Sequence, residues 1–281
     1  MRPNAPNSGT ARALQRAGSG PPPEDTLMNA PMNAPTIDQL HRNKTGKVSD
    51  KWSSYLPYYD RLFAPLRHTP LRLLEIGIQN GGSLETWSQY FPEARSLVGC
   101  DIDPRCSALR YDDPRIHVVV GDANGPAAFK AIQGISPQFD LVIDDGSHRS
   151  VDIINSFINY FPLLSPGGVY VVEDCHCLYM NDFGGGVLND YGAYAFFKRL
   201  VDVTSHQFWH DQVDIKHYLR TFFDLRLTPP FIIEGWIDSL EFRNSIITIR
   251  KALAPGHDKL GERLQVGDQA QMQTFDGKFN A

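Results

Sequence analysis

Hydrophobic and polar positions along this chain follow two rhythms. Short apolar runs stop abruptly at or beside an acid: LRLLEIG (71–77), SLVGCDID (96–103), RIHVVVGD (115–122), FDLVIDD (139–145) and GVYVVED (168–174). Runs of that length, closing in charge, read as buried strands emerging at the edge of a sheet. Between them lie segments with helical spacing: SLETWSQYF (83–91), PAAFKAI (126–132) and SVDIINSFINYFPLL (150–164). A turn is expected at Pro166-Gly167-Gly168 and a helix-rich region over 190–223. Residues 237–251, IDSLEFRNSIITIRK, read as a hairpin turning near Arg243-Asn244.

Strands alternating with helices predict βαβ units and a parallel sheet. The expected fold class is therefore α/β, a Rossmann-like doubly wound and mostly parallel seven-stranded sheet with a C-terminal antiparallel hairpin. The domain is expected over 37–252, with 178–223 as an acceptor or lid insert. Residues 1–36 are rich in Pro, Gly, Ala and Asn and nearly free of large apolar side chains. Such a segment cannot offset its ordering entropy, and a disordered tail is expected. Arg2, Arg12 and Arg16, with no acid before Glu24, give it some transit-peptide character. It lacks a secretory apolar core, however, and its prolines oppose an amphipathic helix. The repeated MNAP allows a start at Met28 or Met32. A second flexible tail is expected over 253–281.

Composition narrows the function classes. At 281 residues and 42% hydrophobic, the chain can bury a full core. The net charge is −5 and there is no long basic run, so nucleic acid is not an expected partner. No apolar stretch approaches the ~20 residues needed to span a bilayer, which argues against a membrane. Four cysteines fall short of a disulfide scaffold and favour a cytoplasmic setting.

The chemistry lies at the ends of the runs. FDLVIDDGSH closes on Asp144, Asp145 and His148, and GGVYVVEDCH closes on Glu173 and Asp174. In open α/β sheets the carboxyl ends of neighbouring strands form the ligand crevice. Four carboxylates and an imidazole converging there call for a divalent cation with oxygen ligands. Upstream, Gly77, Gly81 and Gly82 sit where a strand turns into a helix that Ser83 can cap. Their spacing differs from the G-x-G-x-x-G of a dinucleotide loop. Asp101, ~20 residues past the glycines, can accept both hydroxyls of a ribose, and Asp122 can reach an adenine edge. The first half thus looks built for an adenosine-containing cofactor.

These motifs together resemble a class I S-adenosylmethionine-dependent methyltransferase. LEIGIQNGGSLETW, VGCDIDP, LVIDDGSH, PGGVYVVEDCH and SLEFRNSIITIRK resemble more narrowly the metal-dependent sugar O-methyltransferases of macrolide pathways, such as those acting on mycinamicin and macrocin. KVSDKWSSYLPYYDRLF (47–63) is similar to the family's leading T-D-K segment, with Ser49 in place of threonine. The resemblance implies that Glu75, Gly77 and Ser83 shape the methionine end of the S-adenosylmethionine pocket, and Gly81 is a further candidate cofactor-binding residue. It implies Asp101 on the ribose and Asp122 on the adenine; Asp144, which precedes Asp145 on the strand and should point differently, is expected at the cofactor's amino end or in a structural role. Asp145, Glu173 and Asp174 would ligate Mg²⁺, and His148 would be the general base. A homo-oligomer is implied as well. The chain departs from the family after Glu-Asp, where Cys175-His176-Cys177 replaces Leu-His-Thr.

The expected reaction is methyl transfer to a hydroxyl of a small hydroxylated or glycosylated metabolite. A hydroxyl is a poor nucleophile at neutral pH, so a cation that stabilises developing alkoxide and a base near neutrality are what the step requires. Two other readings stay open: a cephalosporin hydroxylase-like protein, and a non-catalytic S-adenosylmethionine-binding subunit. Among bystanders, His176 could compete with His148 as base or ligand. Cys175 and Cys177 read as ordinary thiols because C-x-C lacks zinc-site geometry. His206 and His210 read as packing or lid residues.

Overall fold

The structure is a computed structural model that describes residues 34–210 and 213–269. The bulk of both expected tails, residues 1–33 and 270–281, lies outside the described residues.

Seven strands form one sheet: β1 (Arg72–Ile76), β2 (Ser96–Asp101), β3 (Ile116–Val120), β4 (Phe139–Asp144), β5 (Leu164–Val172), β6 (Ile237–Arg243) and β7 (Ile246–Lys251). Their spatial order is β3-β2-β1-β4-β5-β7-β6. The first five are parallel, and β7 joins antiparallel to β5 and β6. The order reverses between β1 and β4, which places a switch point, and hence a crevice, at their carboxyl ends.

Side chains alternate between the two faces of each strand, so neighbouring residues enter different cores. Leu74, Val98, Val142, Tyr170 and Ile247 face one core, where Phe157, Tyr160, Phe196 and Phe197 pack. Leu73, Leu97, Leu141, Val169 and Ile246 face the other, filled by Tyr55, Tyr59, Phe63, Trp87 and Phe91. The first layer is built from α4 (Pro126–Ile135), α5 (Ser150–Tyr160) and α6 (Ala193–Thr204). The second is built from α1 (Ile37–Arg42), α2 (Leu56–Phe63) and α3 (Gly82–Tyr90). Two short helices, α7 (Ile215–Tyr218) and α8 (Pro230–Ile233), complete the first layer.

Several expected elements change in extent. The helix expected to run to 164 stops at Tyr160 and tightens into a 3₁₀ turn over Phe161–Leu163, because Pro162 cannot donate to the helical ladder. The turn expected at Pro166-Gly167-Gly168 lies inside β5. Phe139 pairs with Leu164 and Leu141 with Val169, so residues 165–168 bulge from a strand that continues. Of the helix-rich region, α6 belongs to the core, with Phe196, Phe197 and Leu200 fully buried. No helix among the described residues is long and apolar enough to cross a membrane.

Candidate active site

The carboxyl ends of β1, β2, β4 and β5 open into a cavity of about 430 Å³. Gly77, Asp101, Asp145, His148, Glu173 and Asp174 all line it, so the fold gathers the predicted metal and base residues in one place. β4 and β5 are hydrogen-bonded neighbours, with Asp144 opposite Val172 and the Glu173 N–H donating to the Asp144 carbonyl (2.9 Å). That pairing brings the two acidic pairs together.

Asp145, His148 and Asp174 each present one donor atom, and the three atoms lie within 4.8 Å of one another. His148 Nε2 is 3.7 Å from Asp174 Oδ2. Both residues have positive φ, 56° and 51°. The other non-glycine residues of positive φ among those described are Gln79 and Ser245, and both border the same region. Such strained backbone persists only where its surroundings over-determine it, and it concentrates at functional sites.

Lys51 occupies the middle of the acids. Its ammonium donates to Asp145 Oδ2 (2.5 Å), to both oxygens of Glu173 (2.9 and 3.0 Å) and to Glu75 Oε1 (3.5 Å). Its side chain is only 5% exposed. Burial works against that charge, but Asp145, Glu173 and Glu75 raise its pKa well above the ordinary value. Burial in turn raises Glu75, Asp145 and Glu173, and Lys51 offsets only part of the rise. One ammonium thus faces three crowded carboxylates, with Asp174 beside them. Hard oxygens from Asp145 and Asp174 therefore fit a divalent ion such as Mg²⁺, and the His148 imidazole stands beside them. Glu173 shares the wall, although both its oxygens face Lys51.

On the cofactor side, Asp101 Oδ2 accepts from the backbone N–H groups of Ile78 (3.0 Å) and Gln79 (2.7 Å), and Oδ1 from Asp103 (2.9 Å). These bonds fix the carboxylate at the mouth of β2. Gly77 (φ 86°) lets β1 turn out against the end of β4: a Cβ there would stand 2.0 Å from the Asp145 carbonyl oxygen. A second cavity of about 250 Å³ adjoins the first and is lined by Asp101, Asp122, Asn124 and Asp144. Asp122 Oδ1 accepts from the Asn124 N–H (2.9 Å). Asp144 is buried; burial pushes its pKa up to about 7, and Tyr170 donates to it at 3.3 Å. Two adjoining cavities with carboxylates at the ends of β2 and β3 suit an elongated adenosine-containing ligand.

Glu75, Gly81 and Ser83 take different parts. Ser83 does not cap α3: the helix begins at Gly82 with Gly81 as N-cap, so Ser83 lies inside the first turn. Its hydroxyl instead donates to Glu75 Oε2 (2.6 Å), where the Trp87 indole N–H also donates (3.1 Å). Ser83 borders the main cavity, while Glu75 and Gly81 line neither cavity. Gly81 turns the chain and accepts from the Tyr111 hydroxyl (2.9 Å).

Tyr55 and Lys51 are the site residues that sequence reasoning passed over. The Tyr55 hydroxyl bridges Asp174 Oδ1 and Ser245 Oγ, both at 2.7 Å. The sequence signal was slight: similarity of 47–63 to the T-D-K segment, and an acid set large enough to need a cation. His176 stands beside the site, its Nδ1 2.6 Å from Ser245 Oγ and 4.0 Å from Asp174. All four cysteines are unpaired and buried, and burial raises Cys175 and Cys177 away from the thiolate form. His206 packs on Trp209 and His257 and does not line this site.

Residues 74–175 match a family described as a methyltransferase domain. The chain carries a methyltransferase domain. It is 40% identical over 169 residues to the 8-demethyl-8-alpha-L-rhamnosyl tetracenomycin-C 2'-O-methyltransferase of Streptomyces olivaceus, covering 56% of this chain and 43% of the relative. It is 38% identical over 174 residues to the demethylmacrocin O-methyltransferase of Streptomyces fradiae, covering 57% and 43%. The chain thus spans less than half the length of these curated relatives. Among solved structures, the MycE methyltransferase of the mycinamycin pathway, in complex with Mg, SAH and mycinamycin VI, superposes with a TM-score of 0.63 at 27% identity. The match covers 84% of this chain and 58% of that one. The methyltransferase domain therefore shares its seven-stranded, mostly parallel sheet with a solved neighbour, and it resembles the macrolide sugar O-methyltransferases.

Proposed function

We propose that this chain is a Mg²⁺-dependent O-methyltransferase that moves a methyl group from S-adenosylmethionine to a hydroxyl, of a sugar or a vicinal diol, on a small specialised metabolite. The observation that carries the reading is the convergence of Asp145, His148 and Asp174 within 4.8 Å, beside the glycine-lined mouth of β1.

In this reading Asp101 takes the ribose hydroxyls. Three of its lone-pair directions already accept backbone N–H groups, which leaves one on Oδ1 and fixes its orientation. Asp122 reaches the adenine edge and Asp144 lies along the wall between the ends. Glu75 and Ser83 support the methionine end, and Gly77 and Gly81 give the loop its turns. Asp145, Glu173 and Asp174 are the side chains that would hold Mg²⁺. When bound, the cation supplies charge stabilisation for developing alkoxide and lowers the pKa of a coordinated hydroxyl. His148 takes the hydroxyl proton at Nε2, and Asp174 at 3.7 Å stabilises the imidazolium that forms. The sulfonium loses its charge as the methyl leaves, so the remaining demand on the protein is alignment.

The proposal extends to 37–252 as the catalytic domain, with tails on both sides, and to acceptor contacts from the 178–223 insert. The exposed part of that insert, including Tyr179, Met180, Val187, Leu188 and Tyr191, offers the apolar surface. It also includes a homo-oligomer in the cytoplasm with no nucleic-acid partner, in line with the negative net charge.

Titration calorimetry with S-adenosylmethionine, with and without Mg²⁺, tests the reading in the wild type, Asp145→Ala and His148→Ala. All three should bind the sulfonium, and Asp145→Ala should lose Mg²⁺. His148→Ala should transfer methyl to a rhamnosylated acceptor ~10²–10⁴-fold more slowly. A wild type that fails to bind the sulfonium, or transfer that is indifferent to chelation, would sink it.

A further inference from the structure

Trp52 stands out on the acceptor side of the cleft. Its side chain is 58% exposed, yet the backbone beneath it is pinned. Lys51 on one side is held by three carboxylates, and Tyr55 on the other is held by Asp174 and Ser245. Trp52 borders the main cavity and also a smaller one of about 280 Å³, lined by Ser54, Tyr55, His176, Asn244 and Ser245. The His176 ring meets the indole edge-on, with centroids 5.8 Å apart. His176 Nδ1 is committed to Ser245, whereas Nε2 and the Asn244 side chain have no protein partner among the described residues. No Asp, Glu, Lys or Arg lines this smaller cavity.

A rigid exposed aromatic face surrounded by neutral hydrogen-bonding groups has a specific chemical complement. A pyranose ring carries C–H groups on one face and hydroxyls around its rim, and it is uncharged. An indole suits the first and the His176, Asn244 and Ser54 side chains suit the second. The cavity shares Tyr55 with the main cleft, and Tyr55 donates to Asp174 at 2.7 Å. A ring stacked on Trp52 therefore has its rim beside the acids.

We propose that Trp52, with His176 and Asn244, forms a subsite for a neutral pyranose ring that presents a rim hydroxyl to Asp174 and His148. This rests on the methyltransferase reading and adds the residues that recognise the acceptor. The turn of the β6–β7 hairpin supplies one wall, so acceptor recognition is shared between a segment before β1 and a turn after β6.

Saturation-transfer NMR with methyl α-L-rhamnopyranoside, in the presence of S-adenosylhomocysteine and Mg²⁺, tests the subsite. The wild type should transfer saturation to the ring protons. Trp52→Phe should keep most of the signal, and Trp52→Ala should lose it while its affinity for S-adenosylhomocysteine stays within ~2-fold. With a rhamnosylated acceptor, Trp52→Ala should raise KM by about five- to ten-fold with a smaller change in kcat, as expected for loss of one ring-stacking contact. If Trp52→Ala fails to fold, Asn244→Trp fills the same cavity from the hairpin and should abolish the sugar signal. An absent wild-type signal overturns the subsite, as does one that persists in Trp52→Ala or Asn244→Trp. The two readings fail separately: loss of S-adenosylhomocysteine binding in the wild type removes the methyltransferase function, whereas retained binding with no Trp52 dependence removes only the subsite.

Discussion

Lys51 donates to carboxylates from three strands, Glu75 in β1, Asp145 just past β4 and Glu173 just past β5. It is at once a cross-brace and a counter-ion. Removing one partner of a buried ion pair typically costs about 3–5 kcal/mol, because the charges left behind are uncompensated. Lys51→Met should therefore lower the melting temperature of the metal-free protein by roughly 10 °C, and saturating Mg²⁺ should restore part of the loss by mass action. A variant that melts with the wild type in calorimetry would show that Lys51 is a bystander. At this scale the sequence was half legible. Asp145, Glu173 and Asp174 announce themselves because apolar runs end in them. Lys51 does not, since nothing in KVSDKWSS marks one polar residue as buried. Ser83 is opaque for a similar reason: its local context suits a cap, and only the position of Glu75 across the turn gives its hydroxyl a better partner.

Among the elements, β5 shows how a bulge is held. Residues 165–168 leave the ladder, and Ser165 Oγ donates to Asp140 Oδ1 (2.6 Å). Asp140 also accepts from the Arg72 guanidinium at 2.9 and 3.0 Å and from its backbone N–H at 2.8 Å. Burial pushes the Asp140 carboxyl up, but these bonds more than compensate and hold it below its ordinary value. A carboxyl with a depressed folded pKa contributes stability above its unfolded value of ~4, and that contribution is lost as pH falls through the folded value. Asp140→Asn should cost about 1–3 kcal/mol at pH 7. Its stability should then fall less than the wild type's between pH 5 and pH 2. Urea titrations at several pH values measure both; parallel acid profiles would contradict the assignment. A strand carrying Pro-Gly-Gly reads as a turn from sequence because the partners that hold the bulge, Arg72 and Asp140, belong to other strands. The β6–β7 hairpin was legible, since its turn residues and flanking apolar alternation are local.

Across the whole molecule, the alternation of apolar runs and helical segments was enough to fix the class of the fold, because each run has to be buried on both faces. Sheet order and the two-sided core follow from packing. They could not be read from spacing alone: β1, β2, β4 and β5 all send neighbouring residues into opposite cores, so the alternation does not order them. Stability should be distributed accordingly. In native-state hydrogen exchange, amides of β1, β4 and β5 should exchange slowest, and those of 182–191, with few buried side chains, should exchange fastest. Equal protection across the two regions would refute this partition. The same architecture has a consequence for synthesis. Tyr55 waits for Ser245, 190 positions later, and Lys51 waits 122 positions for Glu173. A nascent chain therefore exposes Tyr55, Tyr58, Tyr59 and Phe63 on leaving the ribosome, long before the strands and hairpin that cover them exist. Long-range closure of this kind is slow and prone to aggregation, so the cleft should be among the last parts to mature, and the aromatic segment around Tyr55–Phe63 should depend strongly on chaperones.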